Sequence, residues 1–459
     1  RVKSVLTNQG EFTIQNNANL IQEGSTNNNV GAITVQRNSS PLWRLDYTLW
    51  SSPVVGQNLL AFSPLTVANR FYVYNPTTNQ YNTIPPSTNA FQTGVGYLIR
   101  MPDNHVSNIN NNPAQIWEGE FLGVPNNGDV TLTVANNTFN AVGNPYPSTI
   151  SASAFYAANS LTQPLYFWRK INGAAGSAYA TWTTAGGASS GSDATIPNGI
   201  IQVGQGFILR STSTSVVFNN TMRVGNNANQ FLRMADIEHN RVRVAMTGPN
   251  NFSQNILINY MSGATNEVDP AIDGKYINDS ETAFYTLLDE EAYVIQGRAL
   301  PFDNNDVVPL GFKTTQSGNY QISLVSTDGL FADNQSIFLE DFTTGMTHDF
   351  ANGAYTFTSA TGVFHNRFQL KYVNQPLSVD QVGLNSLVSW VQDHTLYLYN
   401  SGETLSEVTI FDLMGRKISS FTQLESNTFN TPLQHLSNQV LLVQIKTSSG
   451  VTATQKIIR

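Results

Sequence analysis

The sequence predicts an all-β chain: several β-sandwich domains in series, ending in a small immunoglobulin-like module. Three observations carry this. Only 12% of the 459 residues are charged, and most of the polarity comes from Asn, Thr, Ser and Gln. Short β-branched and aromatic runs recur between Asn/Gly turn clusters, the pattern of many short strands. No Cys is present, so the cores have to form without disulfides or thiolate metal sites, and the length allows that. A formal net charge of -8 argues against nucleic acid as a partner and against a basic membrane-binding face. The chain starts at Arg1-Val2-Lys3 inside a strand pattern and reads as a piece or processed form of a longer protein.

Residues 1–40 carry short β segments (Phe12 to Ile14, Ala18 to Ile21, Val30 to Val35) separated by Asn/Gly turns. This spacing suits the last rungs of an upstream β-repeat such as a parallel β-helix, the reading preferred here; the alternative is two edge strands of the next domain. Residues 41–228 contain a duplicated β unit. Its first copy has Ser51-Ser-Pro53, Phe71 to Tyr74 and Gly94-Val-Gly-Tyr-Leu-Ile-Arg100. The second has Asn144-Pro-Tyr-Pro147, Leu165 to Trp168 and Gly204-Gln-Gly-Phe-Ile-Leu-Arg210. The offset is 94 residues for the first two blocks (53 to 147, 72 to 166) and 110 for the third (94 to 204). The additional residues fall around Gly173–Ser192, a Gly/Ala/Ser-rich stretch of the kind surface loops tolerate. A Gly before an aromatic strand points to a bulge or a close backbone approach.

Residues 229–375 read as a further β-sandwich. Its strand candidates are Arg241–Met246, Asn255–Tyr260, Tyr293–Gly297, Asn319–Val325, Ile337–Asp341, Ala354–Thr358 and Phe368–Tyr372. Ser280–Glu291 reads as partly irregular, and Asn374 to Val379 as a linker around Pro376. Residues 376–459 supply strand candidates at Leu387–Trp390, Leu396–Tyr399, Val408–Phe411, Val440–Ile445 and Val451–Ile458, with a turn at Asp412–Gly415 and a hairpin at Ser448–Gly450. That makes a sandwich of about seven short strands, near the lower size limit for an independent core.

This last stretch resembles the C-terminal sorting domain of cargo exported by the type IX secretion system of Bacteroidota. The family's Val-x-Ile-[Tyr/Phe]-Asp-x-x-Gly-[Arg/Lys] segment is matched by Val408, Ile410, Asp412, Gly415 and Arg416. Its later strand, Gly turn and terminal basic strand are matched by Leu441 to Lys446, Gly450, and Lys456, Ile457, Ile458 and Arg459. The usual Gly-x-Tyr opening of the penultimate strand is replaced by Gln439-Val440-Leu441, and the Pro-Asn-Pro entry is absent. The duplicated unit, with Gly143 to Pro147 and Asn219 to Arg223, also resembles regions that precede such domains in large surface proteins.

The resemblance implies a secreted, cell-surface protein of a gliding or host-associated species, with an adhesin or structural role; separately, no enzymatic activity is expected. Its implied partners are the outer-membrane translocon, a barrel-type shuttle protein that binds the sorting domain, and a sortase that cleaves near Asn374 to Val379. The alternative is a carbohydrate-active enzyme or glycan-binding protein whose catalytic part lies upstream.

Other constellations carry less. Gly187 to Gly191 satisfies Gly-x-Ser-x-Gly, but a nucleophile elbow needs a strand before it and a helix after it. The six His (105, 239, 348, 365, 394, 435) show no ligand spacing. No cofactor is expected; Asp269, Asp273 and Asp279, with Glu267 and Asn266, are the candidates for Ca²⁺ from a loop. Trp43, Trp50, Tyr72, Tyr74, Trp168, Tyr179 and Trp182 are candidates for a platform that stacks on glycans, although alternation sends many such side chains into a core.

Overall fold

The computed structural model describes all residues except 1, 4, 109–110, 192–194, 226–238, 333–334, 374–386, 393, 413–414, 435, 437–438 and 459. About 50% of the chain is strand and 6% helix, arranged in several separate sheets, so the fold is all-β. The chain divides into two compact units, Arg1–Val373 and Asn374–Arg459.

The first unit opens with a parallel coil. Val2 pairs with Gln22, Thr7 with Val30 and Thr13 with Thr34, each pairing joining residues 20 to 23 positions apart. Gly31, at φ 87°, makes the close approach possible, since a Cβ there would lie 1.9 Å from Asn8 O. Ile33–Asn38 then runs antiparallel to Glu118–Pro125. Ile14, Leu20, Ile33 and Val35 are buried in one cluster with Trp50, Val54, Phe62 and Phe121. Residue 40 is therefore no packing boundary: the coil shares its core with the first copy.

The two copies repeat one strand order. In the first, Tyr47–Trp50, Tyr97–Arg100, Phe71–Asn75 and Gln80–Thr83 lie side by side in that spatial sequence. In the second, Thr138–Gly143, Gly206–Ser211, Leu165–Trp168 and Tyr179–Thr183 do the same, with Gly186–Ala188 added at the edge. A short helix follows the first strand in each, Leu59–Phe62 and Ala152–Ala158. Asn58 and Ser151 cap them, each side chain accepting from a backbone N–H inside the helix.

Residues 240–371 form one eleven-stranded sheet, ten strands in a continuous order and Gly274–Lys275 paired off it, curled around a single core. Its terminal strands, Met346–Asp349 and Tyr355–Ser359, come together: the rings of His348 and Tyr355 lie 5.4 Å apart, and Tyr355 donates to Asp341 Oδ2 at 2.9 Å. The stretch expected to be partly irregular contains a fully paired strand, Ala283–Leu288. It turns into Glu291–Arg298 through Asp289 and Glu290, both at positive φ. Two acidic residues occupy the turn that Asn-Gly usually marks, so the sequence signal is missing.

The second unit packs a three-stranded sheet (Leu387–Gln392, Thr395–Asn400, Thr428–Pro432) and a four-stranded one with Lys417–Ser426, Leu405–Asp412, Val440–Thr447 and Thr452–Ile458 in that order. Leu396, Leu398, Val408, Ile410, Leu441, Val443 and Ile445 fill its core. Val440–Thr447 alternates half-buried or exposed with buried along its length, as a strand with one covered face should.

Candidate functional site

The paired Gly-x-Gly motifs hold the two copies together. Gly94 and Gly204 take φ of 79° and 71°. The Gly204 carbonyl of the second copy accepts from Ser51 N–H of the first at 2.9 Å; reciprocally, the Gly94 carbonyl accepts from Gly143 N–H at 2.9 Å. The second glycine of each motif sits against the other copy. A Cβ on Gly96 would lie 2.9 Å from Val142 O, and one on Gly206 would lie 2.7 Å from Leu49 Cγ. The motif's spacing thus reflects a reciprocal backbone crossing.

Aromatic side chains from both copies gather over this seam. Tyr47, Tyr72 and Tyr81 of the first copy and Trp168 of the second line a hollow of 260 Å³ floored by Leu98. It adjoins one of 300 Å³ that Tyr47, Trp168 and Lys170 also line. Tyr81 and Tyr179 hydroxyls meet at 3.2 Å across the seam. Trp168 packs edge-on against Tyr179 at 5.4 Å. Burial pushes the Tyr81 phenol far up and Tyr74 up to about 12, so both stay neutral. Asp46 at the rim is buried, its carboxylate accepting from Trp43 N–H at 2.8 Å and Asn172 N–H at 2.6 Å. Burial, working against those two bonds, raises its pKa.

Of the seven aromatics singled out in the sequence, Tyr72 and Trp168 line the 260 Å³ hollow, and Tyr74 and Tyr179 pack beside it. Trp182 is core, stacked edge-on with Tyr156. Trp50 is 2% exposed and packs edge-on against Phe62, Trp117 and Phe121. Trp43 donates its indole N–H to Asn112 O. Tyr47 and Tyr81 were missed, because only the strand pairing brings them to the seam.

The second copy also holds a buried cation. Arg223 lies over the Tyr146 ring at 4.7 Å and donates to Ser148 Oγ, Asn127 Oδ1, Asn220 Oδ1 and the Leu20 carbonyl. Burial lowers its pKa to about 10. Two sequence motifs, Gly143 to Pro147 and Asn219 to Arg223, thereby become one clamp that also grips the N-terminal coil.

In the second unit the matched motif is a tight turn. Asp412 Oδ1 accepts Arg416 N–H at 2.9 Å and Asp412 Oδ2 accepts Arg416 Nε at 2.7 Å, while Gly415 supplies φ 75°. Val408 and Ile410 are core. Lys446 and Lys456 point outward, Ile457 is buried, and Gly450 turns the final hairpin at φ 89°. Ile458 pairs with Val440; its side chain, Arg459 and the expected cleavage segment 374–379 lie outside the described residues. Thr452–Ile458 pairs with Val440–Thr447 alone among the described strands, which leaves it at a sheet edge.

The carboxylates considered for Ca²⁺ each accept from donors of the chain itself. Asp269 accepts from Thr265, Asp273 takes Asp269 N–H and Gly297 N–H at 2.7 Å each, and Asp279 takes Ala178 N–H at 2.6 Å. Backbone and hydroxyl donors use these carboxylates, and no group of three or more acidic or His side chains gathers among the described residues. Ser189 of the Gly-x-Ser-x-Gly run is buried against Asn255, and the residues after it, through Gly191, are not helical. His105 bonds the Leu42 and Gln115 carbonyls, His348 the Gly353 carbonyl, and His365 the Tyr285 hydroxyl. His435 lies outside the described residues.

No curated protein matches this chain. Residues 377–459 match the model of a domain of unknown function, DUF8694. Residues 2–372 match the model of another domain of unknown function, DUF8693, and the chain belongs to that family.

Proposed function

We propose that this chain is a cell-surface cargo protein of the type IX secretion system of Bacteroidota, with an adhesin or surface structural role, and that residues 377–459 act as its export address. The observation that carries the reading is the organisation of that unit. The residues of the matched motif close one turn through Asp412 and Arg416, inside a sandwich that has its own core. In the same sheet, two places along, Thr452–Ile458 is an edge among the described strands and offers backbone groups and the exposed Lys456 to a receptor. The partners of this reading are the outer-membrane translocon, its shuttle protein and a sortase.

A fusion of residues 375–459 to a fluorescent reporter with a signal peptide, expressed in a Bacteroidota host, tests it. The fusion should leave the cell only when the type IX translocon works, and deleting Lys456 to Arg459 should strand it in the periplasm. Periplasmic retention of the intact fusion in both strains, or normal export of the truncated one, overturns the reading.

A further inference from the structure

The groove over the seam of the two copies has a chemistry of its own. Its two hollows, 260 and 300 Å³, share Tyr47, Trp168 and Lys170 as lining residues. The walls are ring faces and edges with phenol hydroxyls among them. The Trp168 indole nitrogen is itself buried, so the ring presents its carbon face and edge. Charge is tied down. Of the three cations in the described lining, Lys170 Nζ donates to the Ala174 and Gly176 carbonyls at 2.6 and 3.1 Å, Arg37 Nη1 to Asn17 Oδ1 at 2.7 Å and Arg169 Nη2 to Thr195 Oγ1 at 2.7 Å. Asp46 is the only carboxylate among the described lining residues, and two N–H groups occupy it. Glycosidic hydrolysis works with a pair of carboxylates across the bond. The described lining therefore suits binding.

We propose that this groove binds a neutral oligosaccharide, its pyranose faces lying on Trp168, Tyr72 and Tyr81 and its hydroxyls bonding the phenols. A sugar ring offers both an apolar C–H face and acceptor oxygens, and this wall matches both. An anionic ligand would need cations directed at it, and Lys170, Arg37 and Arg169 already donate to groups of the chain itself. Both copies contribute, so the site exists only because the unit is duplicated. The proposal is independent of the export reading.

The test is calorimetric titration of the purified full chain with cellohexaose, laminarihexaose, xylohexaose and chitohexaose. At least one should bind saturably at one site per chain. Trp168→Ala and, separately, Tyr72→Ala should each weaken it by about tenfold or more. Tyr72 is only half-buried, so its variant keeps the test open if Trp168→Ala does not fold. Trp390→Ala, which removes an exposed ring of the other unit, should leave binding unchanged. The proposal is overturned by no binding of any of the four sugars, by binding that survives both groove variants, or by equal loss in Trp390→Ala. Tighter competition from a tryptophan-containing peptide than from every sugar would also overturn it.

Discussion

The two copies of the duplicated unit share a strand order and a reciprocal glycine crossing, yet they bear different loads. The first takes the N-terminal coil into its core through Trp50, Phe62 and Phe121. The second carries the eleven-stranded sheet. Its extra strand Gly186–Ala188 lies against that sheet: Arg243 donates to Gly187 O at 2.6 Å and Asn259 Nδ2 to Ala185 O at 3.1 Å. The segment that leads onward returns to the same copy, Ala271 N–H bonding Thr162 O and Thr183 Oγ1 bonding Ile272 O. The residues that spoil the offset between the copies are thus the ones that make the second copy an adaptor. An insertion in one copy leaves the shared strands in place and adds a new attachment.

The sharpest way to break this comparison is to remove what only the second copy has. Arg223→Leu takes a cation from a buried site and leaves Ser148, Asn220 and the Leu20 carbonyl without their donor, and Asn127 Oδ1 with Asn220 Nδ2 alone. Chemical denaturation of the first unit should show a loss of about 3–5 kcal/mol. A loss under about 1 kcal/mol would mean the clamp is incidental to holding the coil.

The adaptor side can be tested by pH. Burial raises Asp273 to about 6 from 3.8, with the Asp269 charge adding to the rise and the Asp269 and Gly297 N–H groups and Arg298 opposing it. The folded state therefore holds the proton more tightly than the unfolded chain. The associated stability is fully present below about pH 4 and is lost as the pH rises through about 6, amounting to up to about 3 kcal/mol. Asp273→Asn should flatten the wild-type decline across that window. Identical pH profiles for the two proteins would show that Asp273 does not titrate across that window.

The smallest effect tests symmetry itself. Gly96→Ala and Gly206→Ala each push a methyl into the other copy and should each cost about 1–3 kcal/mol by thermal or denaturant unfolding. Comparable losses mean the crossing is shared; a cost at only one glycine would make it one-sided.

What the sequence made legible follows the same division. Strands with one covered face, such as Val440–Thr447, and the repeated Gly-x-Gly blocks could be read because period and motif are local. Lys417–Ser426 could not: its side chains are mostly half-buried or exposed, so the alternation is blurred and it reads as a polar interval. Met346–Asp349 is hidden for the same reason. The clamp and the aromatic groove depend on residues far apart in the chain, Tyr146 with Arg223 and Tyr47 with Trp168, and no local pattern encodes their meeting.

The crossing also bears on how the unit arose. Ser51 reaches Gly204 while Gly143 reaches Gly94, which is the reciprocity of an isologous two-fold contact. Such a surface is complementary to itself, so a chain with a single copy would meet another chain through the same glycines. Tandem fusion then adds no new contact; it raises the effective concentration of one half for the other and lets each half diverge without losing its mate.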